Sequence, residues 1–303
     1  MTSAANTALM ESWRLSLHNK SAATITHYTR EMDRFAAWLA EHDRPSDSPG
    51  DLLTVRRSDV ETWIGSMRDR GLAAATIRSR WIPARSFYGW LVEEEELERS
   101  PLARVKVEKP TPPPPPTLAA DAIGALLKVV LGTGFMERRD NALLRVMLGT
   151  GMRVGEVCNL MVGDVDLRTR VILVRRGKGD KARLVRIDAT AAAAVDRYVR
   201  ARARHPRSAS PWLWIAARTD HVSVGGLQKI VSRRATEAGI GHVHPHQLRH
   251  TFADRWLAAG GTEGDLQRLG GWESADVMRR YGSHRATDRA LAAYDNINPM
   301  EGL

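Results

Sequence analysis

The sequence holds one cysteine, Cys158, among 303 residues. A single thiol excludes an internal disulfide and suits a reducing compartment, so a cytoplasmic setting is expected. No other sulfur or paired base stands near Cys158, which reads as helix packing. No window is apolar enough to span a bilayer, and no membrane partner is expected. Met1–Leu17 lacks the long apolar core of a signal peptide and carries Glu11 and Arg14. No internal repeat is found. Acidic residues are in deficit: 35 Asp and Glu face 45 Lys and Arg, a formal net charge of +10. That balance points to a polyanionic partner, nucleic acid before membrane, although an arginine-rich proteome gives the same excess.

What is present is helical periodicity. Leu9, Met10, Trp13 and Leu17 form one apolar stripe, and Ser21 opens a longer helix carrying Ile25, Tyr28, Met32, Phe35 and Leu39. Pro45–Gly50 reads as a loop. Ser58 and Glu61 have capping-box spacing ahead of Trp63, Ile64 and Met67, and Gly71 stops that helix. A fourth runs from about Ala74 to the glutamates at 93–96, with Pro83 predicting a kink or a later start. Lys106–Thr117 contains the unbroken run Pro112–Pro116, an extended spacer. Beyond it the pattern is mixed. Helices are predicted at Ala119–Leu131, Arg138–Leu148, Val154–Met161, Ala189–Arg204 and Val224–Ala238. Strands are predicted at Val171–Val174 and Leu184–Ile187, with Pro211–Ile215 a short buried piece. The expected fold is mainly α: a four-helix bundle over 1–105, a proline-rich linker over 106–117, and a mixed α+β unit over 118–303 with a small antiparallel β-hairpin or sheet.

One stretch, Pro245–Tyr281, concentrates chemistry. Pro245 suits the first turn of a helix. On that helix His246 and Arg249 are three residues apart and share a face, while Leu248, Phe252 and Trp256 supply an apolar back. Gly260-Gly261 ends it, and Leu269-Gly270-Gly271-Trp272 leads to a last helix with Tyr281. A histidine, an arginine and a late tyrosine suit phosphodiester chemistry. Guanidinium neutralises the charge spreading over a phosphate, a tyrosine hydroxyl can form a covalent phosphoryl ester, and a neutral histidine can take its proton. Three more positions belong with them: Arg153, just after a glycine turn at a helix start; Lys178, on the glycine-flanked tip of the hairpin; and Trp272, with one indole N–H to donate. Singly each is ordinary, a surface arginine, a solvated lysine or a core tryptophan.

In this order the motifs resemble the tyrosine recombinase (phage integrase) family. Thr150-Gly151-Met152-Arg153-Val154-Gly155-Glu156-Val157 is similar to its first arginine box, Gly177-Lys178-Gly179 to its hairpin lysine, His246-Gln247-Leu248-Arg249-His250 to its second box, and Leu269-Gly270-Gly271-Trp272 through Tyr281 to its final box. Many members carry histidine where Trp272 stands, so direct proton transfer from that position is unavailable. The resemblance implies a core-binding bundle, a catalytic unit and DNA cleavage by Tyr281 through a 3′-phosphotyrosine. In that scheme Arg153 and Arg249 clamp the phosphate, Lys178 protonates the leaving 5′-oxygen, His246 accepts the tyrosine proton and Trp272 hydrogen-bonds the phosphate. Glu156 is a candidate for orienting the site. Neither ATP, metal nor another cofactor is implied.

Implied partners are double-stranded DNA attachment sites, a homotetramer on two such sites and, as an optional third, a directionality factor, in a bacterial cytoplasm or nucleoid. The closing segments look more like a phage or mobile-element integrase than a chromosome-dimer resolvase, and no arm-binding domain is expected before the bundle. Among the five tyrosines, Tyr294 is the serious rival to Tyr281; Tyr28, Tyr88 and Tyr198 lie in apolar patterns or away from any box. His242, His244, His246 and His250 alternate without fixing a tetrahedral ligand set, so no metal is expected. Two other readings share the pattern: a non-catalytic DNA-binding regulator or accessory protein of recombinase shape, and a relaxing topoisomerase.

Overall fold

Apolar stripes at helical spacing become packed helices in the computed structural model, which describes residues 4–42, 50–110, 116–175, 182–272, Leu291 and Tyr294. The described residues form a mainly helical protein with one three-stranded antiparallel sheet. The chain divides into two compact units, Met1–Pro112 and Pro113–Leu303. No helix among the described residues is long and apolar enough to cross a membrane.

The first unit is built from α1 (Ala4–Ser16), α2 (Ala22–Glu41), α3 (Arg57–Asp69) and α4 (Ala74–Glu93). Ser21 caps α2, its hydroxyl accepting the Thr24 N–H at 3.2 Å. The capping interaction expected at Ser58 and Glu61 lies two residues earlier. Arg56 is extended, the helix starts at Arg57, and the Asp59 carboxylate accepts the Arg56 N–H at 2.9 Å. Glu61 instead pairs with Arg57 at 2.8 Å. Helix α4 begins well before Pro83 and carries it as a buried residue, so the later start does not occur. Trp13, Phe35, Trp63, Phe87 and Tyr88 fill the core, with the Trp13 and Phe87 rings edge to face at 5.4 Å. The expected loop at 45–50 lies outside the described residues except for Gly50, as does most of the proline run.

The second unit runs α5 (Ala120–Lys128), α6 (Phe135–Thr150), α7 (Val154–Cys158), β1 (Val165–Asp166), β2 (Val171–Val174), β3 (Arg183–Arg186), α8 (Ala189–Arg202), α9 (Val224–Glu237), α10 (Pro245–Ala258) and α11 (Glu263–Gly270). Strand order is β1-β2-β3, with Ile172 opposite Val165 on one side and Val185 on the other. Ile172, Val174 and Val185 point into a core shared with Leu143, Met147, Val195, Tyr198 and Trp214. The two-residue strand β1 escapes the sequence because it is too short to show alternation. Helix α7 is shorter than the predicted Val154–Met161. Leu160–Val162 instead pairs with the 211–213 segment, through Leu213 N–H to Leu160 O at 2.8 Å and Val162 N–H to Pro211 O at 3.0 Å. Trp214 fixes α7 from below, its indole donating to the Val157 carbonyl at 2.9 Å.

Leu52 shows how the first unit satisfies buried backbone outside its helices. Its N–H donates to Asn6 Oδ1 at 3.1 Å, and its carbonyl accepts the Tyr88 hydroxyl at 2.8 Å. Tyr88→Phe removes that donor at a fully buried site. We expect a loss of about 1–2 kcal/mol in urea denaturation of the full chain; an unchanged midpoint would show that the bond contributes nothing net.

Candidate active site

Two glycine corners organise the site. Helix α6 ends at Gly151, which takes φ +60°, and a Cβ there would meet Phe252 Cδ1 at 2.3 Å. Only glycine satisfies both the left-handed backbone and the close ring. The chain then turns through Met152, and Arg153 becomes the N-cap of α7. Helix α11 ends at Gly271, φ +66°, where a Cβ would stand 3.0 Å from Arg183 Nη1 and 3.3 Å from Arg153 Nη1. The missing side chain at Gly271 is what lets two guanidinium groups close on the backbone.

Arg153 is held on three sides. Its N–H donates to Glu156 Oε2 at 2.8 Å, its Nη1 to Glu156 Oε1 at 3.0 Å, and its Nη2 to the Gly271 carbonyl. Arg183 grips the same carboxylate in a bidentate fork, at 2.9 and 2.7 Å, and its Nε donates to the Leu269 carbonyl at 2.7 Å. Glu156 thus accepts four hydrogen bonds, the full capacity of a carboxylate. Burial alone would raise its pKa, but the bonds from Arg183, the Arg153 N–H and the Arg153 guanidinium outweigh burial and hold it below the usual carboxylate range.

Arg249 approaches from α10. It is buried, whereas His246, three residues earlier on the same face, is exposed. The Arg249 guanidinium donates to the Gly151 carbonyl, and its Cζ lies 3.7 Å from the centroid of the Trp272 ring. Trp272 is itself buried against Ala253, Leu257 and Leu266, with Phe252 and Trp256 packed alongside. The apolar back of α10 is therefore split. Leu248 belongs to the main core, while Phe252 and Trp256 form a separate small cluster that supports Trp272.

His246 sits on the first turn of α10. Partial burial, then the nearby Arg249 and Arg153 charges, lower its pKa and keep the ring neutral at pH 7. One turn on, His250 stacks on it at 5.8 Å and is pushed down to about 4 by burial, His246 and Arg249. His242 and His244 form a separate edge-to-face pair at 4.2 Å.

The structure therefore brings Arg153, Arg249, His246 and Trp272 together. Lys178 and Tyr281 lie outside the described residues. Of the other tyrosines, Tyr88 and Tyr198 are fully buried and hydrogen-bonded to the Leu52 and Leu213 carbonyls, and Tyr28 stacks on Trp13 at 6.1 Å. Tyr294 is exposed. Arg183 is the residue sequence reasoning missed. It shares the inward face of β3 with buried Val185, and an arginine on the inward side of an alternating strand must find an acid. That register was the available signal.

The family model described as the phage integrase family matches residues 117–287, and the phage integrase N-terminal SAM-like domain matches residues 13–95. The chain belongs to the phage integrase family. This tyrosine site-specific recombinase is 30% identical over 281 residues to tyrosine recombinase XerC of Corynebacterium efficiens, covering 92% of this chain and 86% of the relative. It is also 30% identical over 286 residues to XerC of Oceanobacillus iheyensis, covering 93% and 92%. Among solved structures it is similar to XerA recombinase, with TM-score 0.53, 25% identity and coverage of 96% and 98%. The Tn1549 transposon integrase with transposon right end DNA shares the fold, with TM-score 0.74, 21% identity and coverage of 96% and 98%.

The histidine environment is testable. His250 should titrate at about 4 and His246 below 6.5 when followed by side-chain NMR. Both folded-state values lie below those of the unfolded chain, so on acidification the unfolded state takes up protons first. Stability contributed by the neutral rings is complete at pH 7, declines from about 6.5 downward, and for His250 is gone below about 4. A His250 resonance that moves with a midpoint near 6.5 would contradict the packing described.

Proposed function

We propose that this recombinase cuts and rejoins double-stranded DNA at attachment sites through a 3′-phosphotyrosine intermediate, and that its role is to integrate or excise a mobile element. The observation that carries the chemistry is the meeting of Arg153 and Arg249 at the Gly151 and Gly271 corners, beside a neutral His246. Two guanidinium groups, each donating to a backbone carbonyl at a glycine corner, suit the non-bridging oxygens of a scissile phosphate.

In this reading the Tyr281 hydroxyl attacks phosphorus, its proton passes to His246, and the bond to the 5′-oxygen breaks as Lys178 supplies that oxygen with a proton. The ester between Tyr281 and the 3′-phosphate conserves the bond energy, and a 5′-hydroxyl from a partner duplex reverses the step. Trp272 shields and hydrogen-bonds the phosphate, and its ring packs against the Arg249 guanidinium, 3.7 Å from centroid to Cζ. Exchange requires two duplexes, hence a homotetramer on two sites. The net charge of +10 fits a protein that clasps many phosphates.

A second reading has its own support. The relatives named tyrosine recombinase XerC match nearly end to end, and their likeness favours a Xer-type recombinase acting on a fixed site over a mobile-element integrase.

The test begins with a duplex selected by the full chain from a random-sequence pool, then nicked near the cleavage point so that the adduct is trapped. A covalent band on a denaturing gel, mapped by peptide sequencing to Tyr281, is expected. Tyr281→Phe should keep duplex affinity and lose the band; a band that persists would move the nucleophile to Tyr294, and tight binding with no band in the native protein would favour the accessory reading. A selected site found at the ends of a mobile element supports integration, and one found at a single chromosomal locus supports the Xer-type role. The logarithm of affinity should fall steeply and linearly with the logarithm of salt concentration, and a flat response would argue against a clamp around the duplex.

A further inference from the structure

We propose that Arg183 is a positioning residue for strand cleavage, acting through Glu156 on Arg153. This rests on the reading of Arg153 as a phosphate clamp and adds a residue that reading does not contain. Arg183 opens β3, while Arg153 opens α7; the two are 30 positions apart, and Glu156 is what joins them.

The geometry is that of a two-sided vice. Glu156 Oε1 receives Nη1 of Arg153 at 3.0 Å and Nη1 of Arg183 at 2.9 Å. Oε2 receives the Arg153 backbone N–H at 2.8 Å and Nη2 of Arg183 at 2.7 Å. Without Arg183, the carboxylate would keep only its two bonds to Arg153, one on each oxygen, and would have no anchor outside the residue it must aim. Arg183 supplies that anchor from β3, because its planar fork takes both oxygens at once. Its third bond, Nε to the Leu269 carbonyl at 2.7 Å, carries the constraint to the end of α11. There the Gly271 carbonyl accepts Nη2 of Arg153, so the same turn is fixed to both arginines. Arg153 is therefore aimed by two elements that Arg183 holds in register, the carboxylate on α7 and the carbonyl after α11.

Burial supports a role beyond surface pairing. The Arg183 side chain is 12% exposed and Glu156 is 5% exposed, against 26% for Arg153. Arg183 and Glu156 are thus more deeply buried than Arg153. Each of the three Arg183 guanidinium nitrogens already donates, to Glu156 or to the Leu269 carbonyl, so Arg183 acts by fixing the guanidinium of Arg153.

The experiment uses the full chain and the nicked selected duplex, and reads single-turnover adduct formation, affinity for the uncut duplex and thermal unfolding. Arg183→Ala should lower the adduct rate about 100-fold, the scale of a misplacement of about 1 Å in a catalytic group, with affinity unchanged. Arg183→Lys keeps the charge and loses the fork, so it should recover little of that rate. If the alanine variant fails to fold, the lysine variant decides: a wild-type adduct rate for it overturns the proposal. The decisive arm repeats Arg183→Ala in an Arg153→Lys background. Action through Arg153 predicts little further loss there, whereas losses that multiply show that Arg183 works independently and overturn the proposal alone. A wild-type rate for Arg153→Lys itself would sink both this proposal and the clamp reading beneath it.

Discussion

The structure depends on one electrostatic problem: several guanidinium groups must stay ordered at close quarters. Like charges repel, and each group loses water on entering the site. The solution uses three kinds of partner. Glu156 takes Arg153 and Arg183 together. Backbone carbonyls at Gly151, Leu269 and Gly271 receive further N–H groups. The face of Trp272 lies against Arg249. Carbonyl dipoles and a ring quadrupole can hold a cation in place without cancelling its charge. The two glycine corners follow from this, since those carbonyls can be offered only where the chain turns sharply with no side chain in the way.

Burial first, and the same charges after it, set the state of the histidines. A ring beside two arginines resists a second positive charge, so His246 remains a base at neutral pH. His250, stacked behind it, is more strongly held neutral and helps keep its neighbour's surroundings free of added charge. Burial and two fixed cations together thus leave an uncharged imidazole beside the arginines.

Much of this was readable in the sequence because the motifs are local. Gly151 with Arg153, Pro245 with His246 and Arg249, and Gly271 with Trp272 are each a turn plus a side chain a few residues on, and local spacing fixes where such side chains emerge. Helix faces in the first unit were readable for the same reason: Trp13, Phe35 and Trp63 repeat at the helical period. What escaped depends on tertiary partners. The shortening of α7 is decided by pairing with residues 211–213, some 50 positions away by the Leu160–Leu213 bond. The burial of Arg249 depends on Trp272 and Gly151, which no periodicity on α10 reports. Arg183 was missed because the strand was started one residue late at Leu184, which hid its place on the inward face with Val185.

A wider pattern runs through the described residues. The four buried carboxylates, Glu31, Asp140, Glu156 and Asp164, are all paired with arginine. In a chain with an excess of basic residues, an acid is worth burying when it orders several cations at once. The exposure of those cations separates the uses. At Asp140 the partners Arg139 and Arg234 are 2% and 8% exposed and pin α6 to α9, while a third partner, Arg233, is 50% exposed. At Glu31 the partners Arg30 and Arg34 are more than half exposed, so one buried acid presents a fixed basic edge along α2. Glu156, like Asp140, combines both in a single group, with Arg183 the more buried partner and Arg153 the more exposed one. Because a buried carboxylate can fix a guanidinium more tightly than solvent allows, the exposed partner of such a pair begins closer to the geometry a phosphate requires, and the ordering cost falls on folding rather than on binding.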